Sequence, residues 1–188
     1  DVPFSRAIHP TTWRPWWSFG CGGLGDIGCH TIDTAYWALG LGAPDKVEVD
    51  MAEKANPIHT PNGSIVTYKF PSRGKQPAVD VKWIEGPRLP KAPNGYDWDI
   101  KGHGGFIMVG EKGGISHDGM RPNSPRLYPK ARWEDYRKNA NERVPKTLKR
   151  VPGIHNDWVN GIRNSEKTVS DFSYSGPLTE SIILGTLA

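Results

Sequence analysis

Cysteine is scarce in this 188-residue chain. Cys21 and Cys29 are too few for a disulfide framework or a cysteine-built metal centre, and the plain expectation for both is a small buried side chain. No run of 18 or more apolar residues occurs, so no membrane-spanning helix and no membrane partner are expected. Charge of one sign is missing as an organising feature as well. Twenty-four Lys and Arg face 20 Asp and Glu, for a net +4. Apart from Lys146–Arg150 the cations are scattered, which gives nucleic-acid binding no patterned support. No repeat, low-complexity tract or secretory signal is visible, and the chain opens at Asp1 without Met and stops inside an apolar pattern. Both ends read as cut, so a piece of a longer protein is expected and the compartment stays open. What is plentiful is turn chemistry and indole: 22 Gly, 17 Pro and eight Trp.

Residues 1–18 have three prolines and no regular period and read as an ordered loop. Trp13, Trp16 and Trp17 crowd into it. Two readings stand side by side: a loop pinned to the domain by its indoles, or an aromatic wall for a sugar or cofactor ring with Arg14 and His9 as polar contacts. Lys46–Lys54, Ser64–Phe70 and Pro77–Ile84 alternate apolar and polar residues, the strand period. Residues 86–103, rich in Pro and Gly, read as a long excursion. Residues 105–109 and 114–117 form a hairpin around Gly110–Gly113, 121–129 is extended, and 131–138 is a short helix. Residues 151–164 form a helix with Ile154, Trp158 and Ile162 on one face, and 176–188 a last helix with Pro177 in its first turn. Successive strands joined by turns pair antiparallel. The expected class is therefore α+β: an open, mostly antiparallel sheet with helices on one face, in a single domain over 1–188.

The chemistry concentrates in FGCGGLGDIGCHTIDTAYWALGL, residues 19–41, which reads as a glycine-rich turn followed by a helix from about Gly25 to Leu41. On it Asp26, His30 and Asp33 are spaced by four and three and share one face, which Trp37 continues. Asp26 would sit in the first turn, where a negative charge is favoured. A carboxylate beside an imidazole is the arrangement general acid–base work needs; the bland alternative is a core histidine bonded by either Asp. One His with two Asp is a thin metal-ligand set, so no metal is expected. Gly20-x-Gly22-x-x-Gly25 imitates a dinucleotide fingerprint, but TTWRPWWSF ahead of it is not a buried strand and the chain does not alternate strands with helices. The glycines read instead as a tight turn packed close to a flat surface.

The run WRPWWSFGCGGLGDIGCHTIDTAYWALGLGAP resembles the start of the C-terminal domain of the Gfo/Idh/MocA oxidoreductases, in particular a bacterial branch with the pattern W-R-x-W-W-x-F-G-x-G-x-L-G-D-x-x-C-H-x-x-D. GGFIMVGEKG (104–113), PGIHNDW (152–158) and GPLTESIILGTLA (176–188) extend the likeness over nearly the whole chain. The resemblance implies an N-terminal Rossmann domain, absent from this chain, that binds most of the NAD or NADP. It implies a substrate-binding and oligomerisation role for residues 1–188. The family's D-x-x-x-H pair falls on Asp26 and His30. That makes His30 the proton acceptor for a sugar or polyol hydroxyl as hydride leaves, with Asp26 orienting it or binding substrate. Asp33, Arg14, Trp17, His9 and His155 would flank the substrate. The family's E-K-P lysine has no counterpart here, so the chain alone is expected to be inactive. Homo-oligomers through the open sheet face are expected. Two alternatives remain: an NAD-dependent glycosidase of the same family, or a non-catalytic carbohydrate-binding or oligomerisation module.

Overall fold

A computed structural model describes residues 3–87, 104–139 and 144–188. The chain enters through a loop carrying one 3-10 turn (Arg6–Ile8), then runs α1 (Gly22–Ala38), β1 (Lys46–Glu53), β2 (Gly63–Phe70), β3 (Val79–Glu85), β4 (Gly105–Gly110), β5 (Gly113–Asp118), β6 (Arg126–Tyr128), α2 (Lys130–Lys138), α3 (Ile154–Asn164) and α4 (Phe172–Leu187). The class is α+β. The strands make two three-stranded antiparallel sheets, β1-β2-β3 and β4-β5-β6, in place of one continuous sheet. Most of the 86–103 excursion, from residue 88 on, lies outside the described residues.

The first sheet does what its alternation demands. Val66, Tyr68 and Phe70 of β2 face a core completed by Leu24, Ile32, Ala35 and Tyr36 of α1 and Leu178 and Ile182 of α4. On the opposite face the register sets Lys46 beside Lys69, Glu48 beside Thr67 and Lys82, and, past a bulge at Asp50, Met51 beside Ile65 and Ile84. Glu48 bridges Lys46 (2.6 Å) and Lys69 (2.7 Å), and these two ammonium groups hold its carboxyl down at about 2. Asp50 accepts from Thr67 (2.7 Å) and pairs with Lys82 (3.3 Å). In the second sheet β4 and β5 form the expected hairpin, closed on Gly110 opposite Gly113 with Glu111-Lys112 as its two-residue turn.

Two helix starts differ from the sequence expectation for the same reason, a cap or close contact upstream. Helix α1 begins at Gly22, not near Gly25; Gly22 takes φ +72°, and a Cβ there would stand 2.7 Å from Thr60 Oγ1, so the turn into the helix needs glycine. It ends at Ala38 with Leu39 as its cap, short of Leu41. Asp26 is thus the fifth helical residue, beyond the first turn, and α1 has no acidic residue there to meet its dipole. Helix α4 opens at Phe172, where the Asp171 carboxylate accepts from the Ser173 amide (2.8 Å). Pro177 therefore sits inside the helix rather than in its first turn. Its missing N–H leaves one helical bond unmade, while its carbonyl accepts from the Ser181 hydroxyl (2.9 Å).

Candidate functional site around helix α1

Helix α1 has two opposed faces. Leu24, Gly28, Ile32, Ala35 and Tyr36 are buried against α4 and the first sheet. Asp26, His30, Asp33 and Trp37 run along the other side, the first three half-buried and Trp37 exposed. The charged stripe is therefore the open wall of an otherwise core-forming helix, so the bland reading of His30 as a core histidine does not hold.

The two carboxylates are tied down, each to a different element. Asp26 Oδ2 meets Arg14 Nε at 2.6 Å, bringing the entry loop onto α1. Asp33 Oδ1 accepts a short hydrogen bond from the Tyr174 hydroxyl of α4. Burial, reinforced by the neighbouring Asp33 charge, raises the Tyr174 phenol above the ordinary tyrosine range. Asp26 does not hydrogen-bond His30, contrary to the orienting role expected for it: its carboxylate is taken by the guanidinium. Among the described residues His30 itself has no hydrogen-bond partner. Cys29 is exposed rather than buried, and its thiol is shifted upward, first by partial desolvation and then by the Asp26 charge.

The entry loop is pinned, as one of its two readings held. Trp16 Nε1 donates to the Ala7 carbonyl (2.9 Å), Trp17 Nε1 to the Asn56 carbonyl (3.0 Å), and Thr60 N to the Pro15 carbonyl (2.7 Å). Trp13 and Trp17 nevertheless keep more than a third of their surface exposed, and Arg14 lies over the Trp13 ring at 5.8 Å. The anchored loop thus presents indole surface next to the Arg14–Asp26 pair. His9 is occupied locally, its Nδ1 3.3 Å from the Thr11 amide and hydroxyl. His155 lies exposed in the first turn of α3, a helix that packs on no other described helix or strand. The structure thus unites Arg14 with Asp26, while the His9 ring is engaged by Thr11 and His155 stands on a helix that does not pack on α1.

Two residues at the site were not anticipated from sequence. Tyr174 was hidden in a stretch read as irregular; the Asp171 cap two residues before Ser173 was the available signal. Glu85, at the end of β3, accepts from the Ser64 hydroxyl (2.9 Å) and sets its other oxygen against Gly23 in the first turn of α1. Burial raises its carboxyl above the ordinary glutamate range, and the hydrogen bond from Ser64 only partly offsets this. No side chain on α1 itself caps that end.

The glycine turn can be tested against a dinucleotide pyrophosphate, and it does not fit one. A phosphate cradle needs amides facing open space. Here the Cβ positions of Gly20, Gly22 and Gly23 would fall on the Arg14 backbone, the Thr60 side chain and the Glu85 carboxylate, and the Gly22 amide donates to the Arg14 carbonyl (3.0 Å). The glycines let α1 approach its neighbours closely. Among the described residues no group of three or more His, Cys, Asp or Glu is arranged to hold a metal ion, and no helix is long and apolar enough to cross a membrane.

Comparison with curated proteins gives no match. Residues 1–116 match the model of the GFO/IDH/MocA C-terminal domain, a family whose members are generally oxidoreductases and typically use NAD(P). The matched stretch runs from the entry loop through α1, the whole first sheet and into β5. With more than half of its length matched and the α+β architecture in place, the chain belongs to the GFO/IDH/MocA C-terminal domain family.

Proposed function

We propose that residues 1–188 are the substrate-side domain of an NAD(P)-dependent oxidoreductase acting on a sugar, polyol or related cyclic alcohol, with His30 as the proton acceptor. The observation that carries this is the open face of α1: an imidazole with no partner among the described residues, one turn from each of two anchored carboxylates. An imidazole without an internal hydrogen bond has both ring nitrogens available to a substrate hydroxyl. Asp26 and Asp33 lie one turn to either side of it on the same helix face. Because Arg14 and Tyr174 hold those carboxylates, they need not reorganise when the charge develops. The exposed indoles of Trp13 and Trp17 suit the apolar face of a sugar ring, and Arg14 its hydroxyls. Hydride acceptance is the chemistry that NAD or NADP supplies, held mainly by a Rossmann domain outside residues 1–188. Homo-oligomers would form through the outer face of the first sheet, where paired charges of both signs border Met51, Ile65 and Ile84.

The test is His30→Asn in the full-length protein. The substitution is expected to lower kcat by about 10²- to 10⁴-fold, the usual span for a lost general base, with the unfolding midpoint unchanged. Turnover that survives removes His30 as proton acceptor. Sugar release by the wild type without accumulation of reduced cofactor would move the assignment to a glycosidase.

A further inference from the structure

The connection between β1 and β2 is built around one side chain. Asn56 precedes Pro57, which has no N–H, and the Asn56 Oδ1 accepts from the next two amides along, Ile58 (2.9 Å) and His59 (3.0 Å). An oxygen that takes two amides fixes which way its side chain points, so Nδ2 faces the other way, 2.8 Å from His59 Nε2. The imidazole is fixed in turn. The Thr60 carbonyl, 2.9 Å from Nδ1, can only accept, so Nδ1 carries the proton and Nε2 receives the Asn56 amide.

The entry loop is fastened to this turn. Trp17 N donates to the Ile58 carbonyl (3.1 Å), Trp17 Nε1 to the Asn56 carbonyl (3.0 Å), and Thr60 N to the Pro15 carbonyl (2.7 Å). Trp16 pairs with His59 in an isolated antiparallel bridge, with its ring edge-on to the imidazole at 6.4 Å. Helix α1 holds the loop elsewhere, through the Arg14–Asp26 pair and the Gly22 amide on the Arg14 carbonyl. Both nitrogens of Trp17 are thus committed to residues 56 and 58, while 38% of its surface stays open.

We propose that Asn56 is a positioning residue of the substrate site: its side chain shapes the turn that sets the Trp17 indole, and so governs how tightly a sugar ring is held. This rests on the reading above that the exposed indoles of the entry loop receive such a ring. An indole already fixed in place loses little freedom when a ring stacks on it, whereas a freed one must be ordered at the moment of binding. His30 stands on α1, outside this set of hydrogen bonds, and proton transfer is not what Asn56 serves.

The test uses the full-length protein labelled with fluorotryptophan. Fluorine NMR follows Trp17, its signal identified by its loss in Trp17→Phe, and hydrogen exchange by mass spectrometry follows the amides of residues 14–19. D-glucose and D-sorbitol are the sugar and polyol probes, and at least one is expected to shift the wild-type Trp17 signal. In Asn56→Ala the loop amides should exchange about tenfold faster, and the dissociation constant of that probe should rise about three- to tenfold. Asn56→Asp keeps the oxygen that takes the two amides and should bring both values back to within about twofold of wild type. Unchanged exchange or unchanged affinity in Asn56→Ala would overturn the assignment, as would an Asn56→Asp protein as impaired as Asn56→Ala. If the alanine variant does not fold, Asn56→Gln, with the same groups one methylene farther out, takes its place. A wild-type Trp17 signal that neither probe moves takes the loop out of the site and overturns the proposal together with the sugar wall. The exchange change is expected to be the same in a His30→Asn background, so loss of the proton-acceptor reading leaves it intact.

Discussion

Gly185→Ala perturbs the point at which α4, α1 and the first sheet meet, and its effect can be worked out from the contacts. A Cβ on Gly185 would stand 2.8 Å from Tyr68 Cζ and 2.9 Å from Leu24 Cδ2, with Tyr68 Oη nearer still. Ordinary contact begins at 3.4 Å, so the ring carbon alone must retreat by 3.4 − 2.8, about 0.6 Å. Tyr68 is 1% exposed, so its ring cannot swing out into solvent. Its hydroxyl donates to the Ile182 carbonyl at 3.0 Å, a bond that retreat would break. Overpacking costs about 1–3 kcal/mol and the lost hydrogen bond about 1 kcal/mol. The better helix propensity of Ala returns about 1 kcal/mol. The net expectation is a loss of about 1–3 kcal/mol, read as a lower urea midpoint at unchanged m by far-ultraviolet circular dichroism. Tyr68→Phe alone should cost about 1 kcal/mol, and it removes the atom nearest the new methyl. In the double variant the losses should fall short of their sum by on the order of 1 kcal/mol. A Gly185→Ala protein as stable as the wild type, or strict additivity in the double variant, would refute this account of how α1 is seated.

Tyr174→Phe removes the hydroxyl that fixes Asp33 and should cost about 1–2 kcal/mol, the low end for a hydrogen bond to a charged acceptor because both groups are half-buried; an unchanged denaturation midpoint would dismiss that link between α1 and α4. Glu85→Gln tests a pH dependence. Burial raises the Glu85 carboxyl, so the folded chain holds this proton at higher pH than the unfolded chain does. Its contribution to stability is therefore full at low pH and is lost as pH rises from the ordinary glutamate range through the raised value. Denaturation series from about pH 4 to pH 7 should show a shallower decline in Glu85→Gln than in the wild type; parallel curves would rule Glu85 out as the source.

Local pattern carried the elements that depend on neighbours along the chain. The alternation in Ser64–Phe70 and Pro77–Ile84 marks β2 and β3 within two residues, and Gly110-Glu-Lys-Gly113 closes its hairpin as expected, because strand period and turn chemistry are properties of covalent geometry and a few adjacent side chains. The close-packing role of Gly20 and Gly22 was legible for a related reason: the residues ahead of them do not form the strand that a pyrophosphate loop requires. The faces of α1 and α3 were equally readable as faces, since a spacing of three and four is intrinsic to the helix.

What covers each face was not, because a period says which side chains point together and nothing about what they meet. Arg14 takes Asp26 away from His30, Tyr174 reaches Asp33 from 141 residues downstream, and Glu85 arrives at the uncapped first turn of α1 from the end of a strand. Each of those contacts depends on how the helices dock on the first sheet, and Tyr68, buried at that junction, holds α4 there through the Ile182 carbonyl. The same division explains α3. Its apolar stripe is written in the spacing of Ile154, Trp158 and Ile162, but only the burial of Asp157 and the tight seat of Gly161 turn that stripe outward.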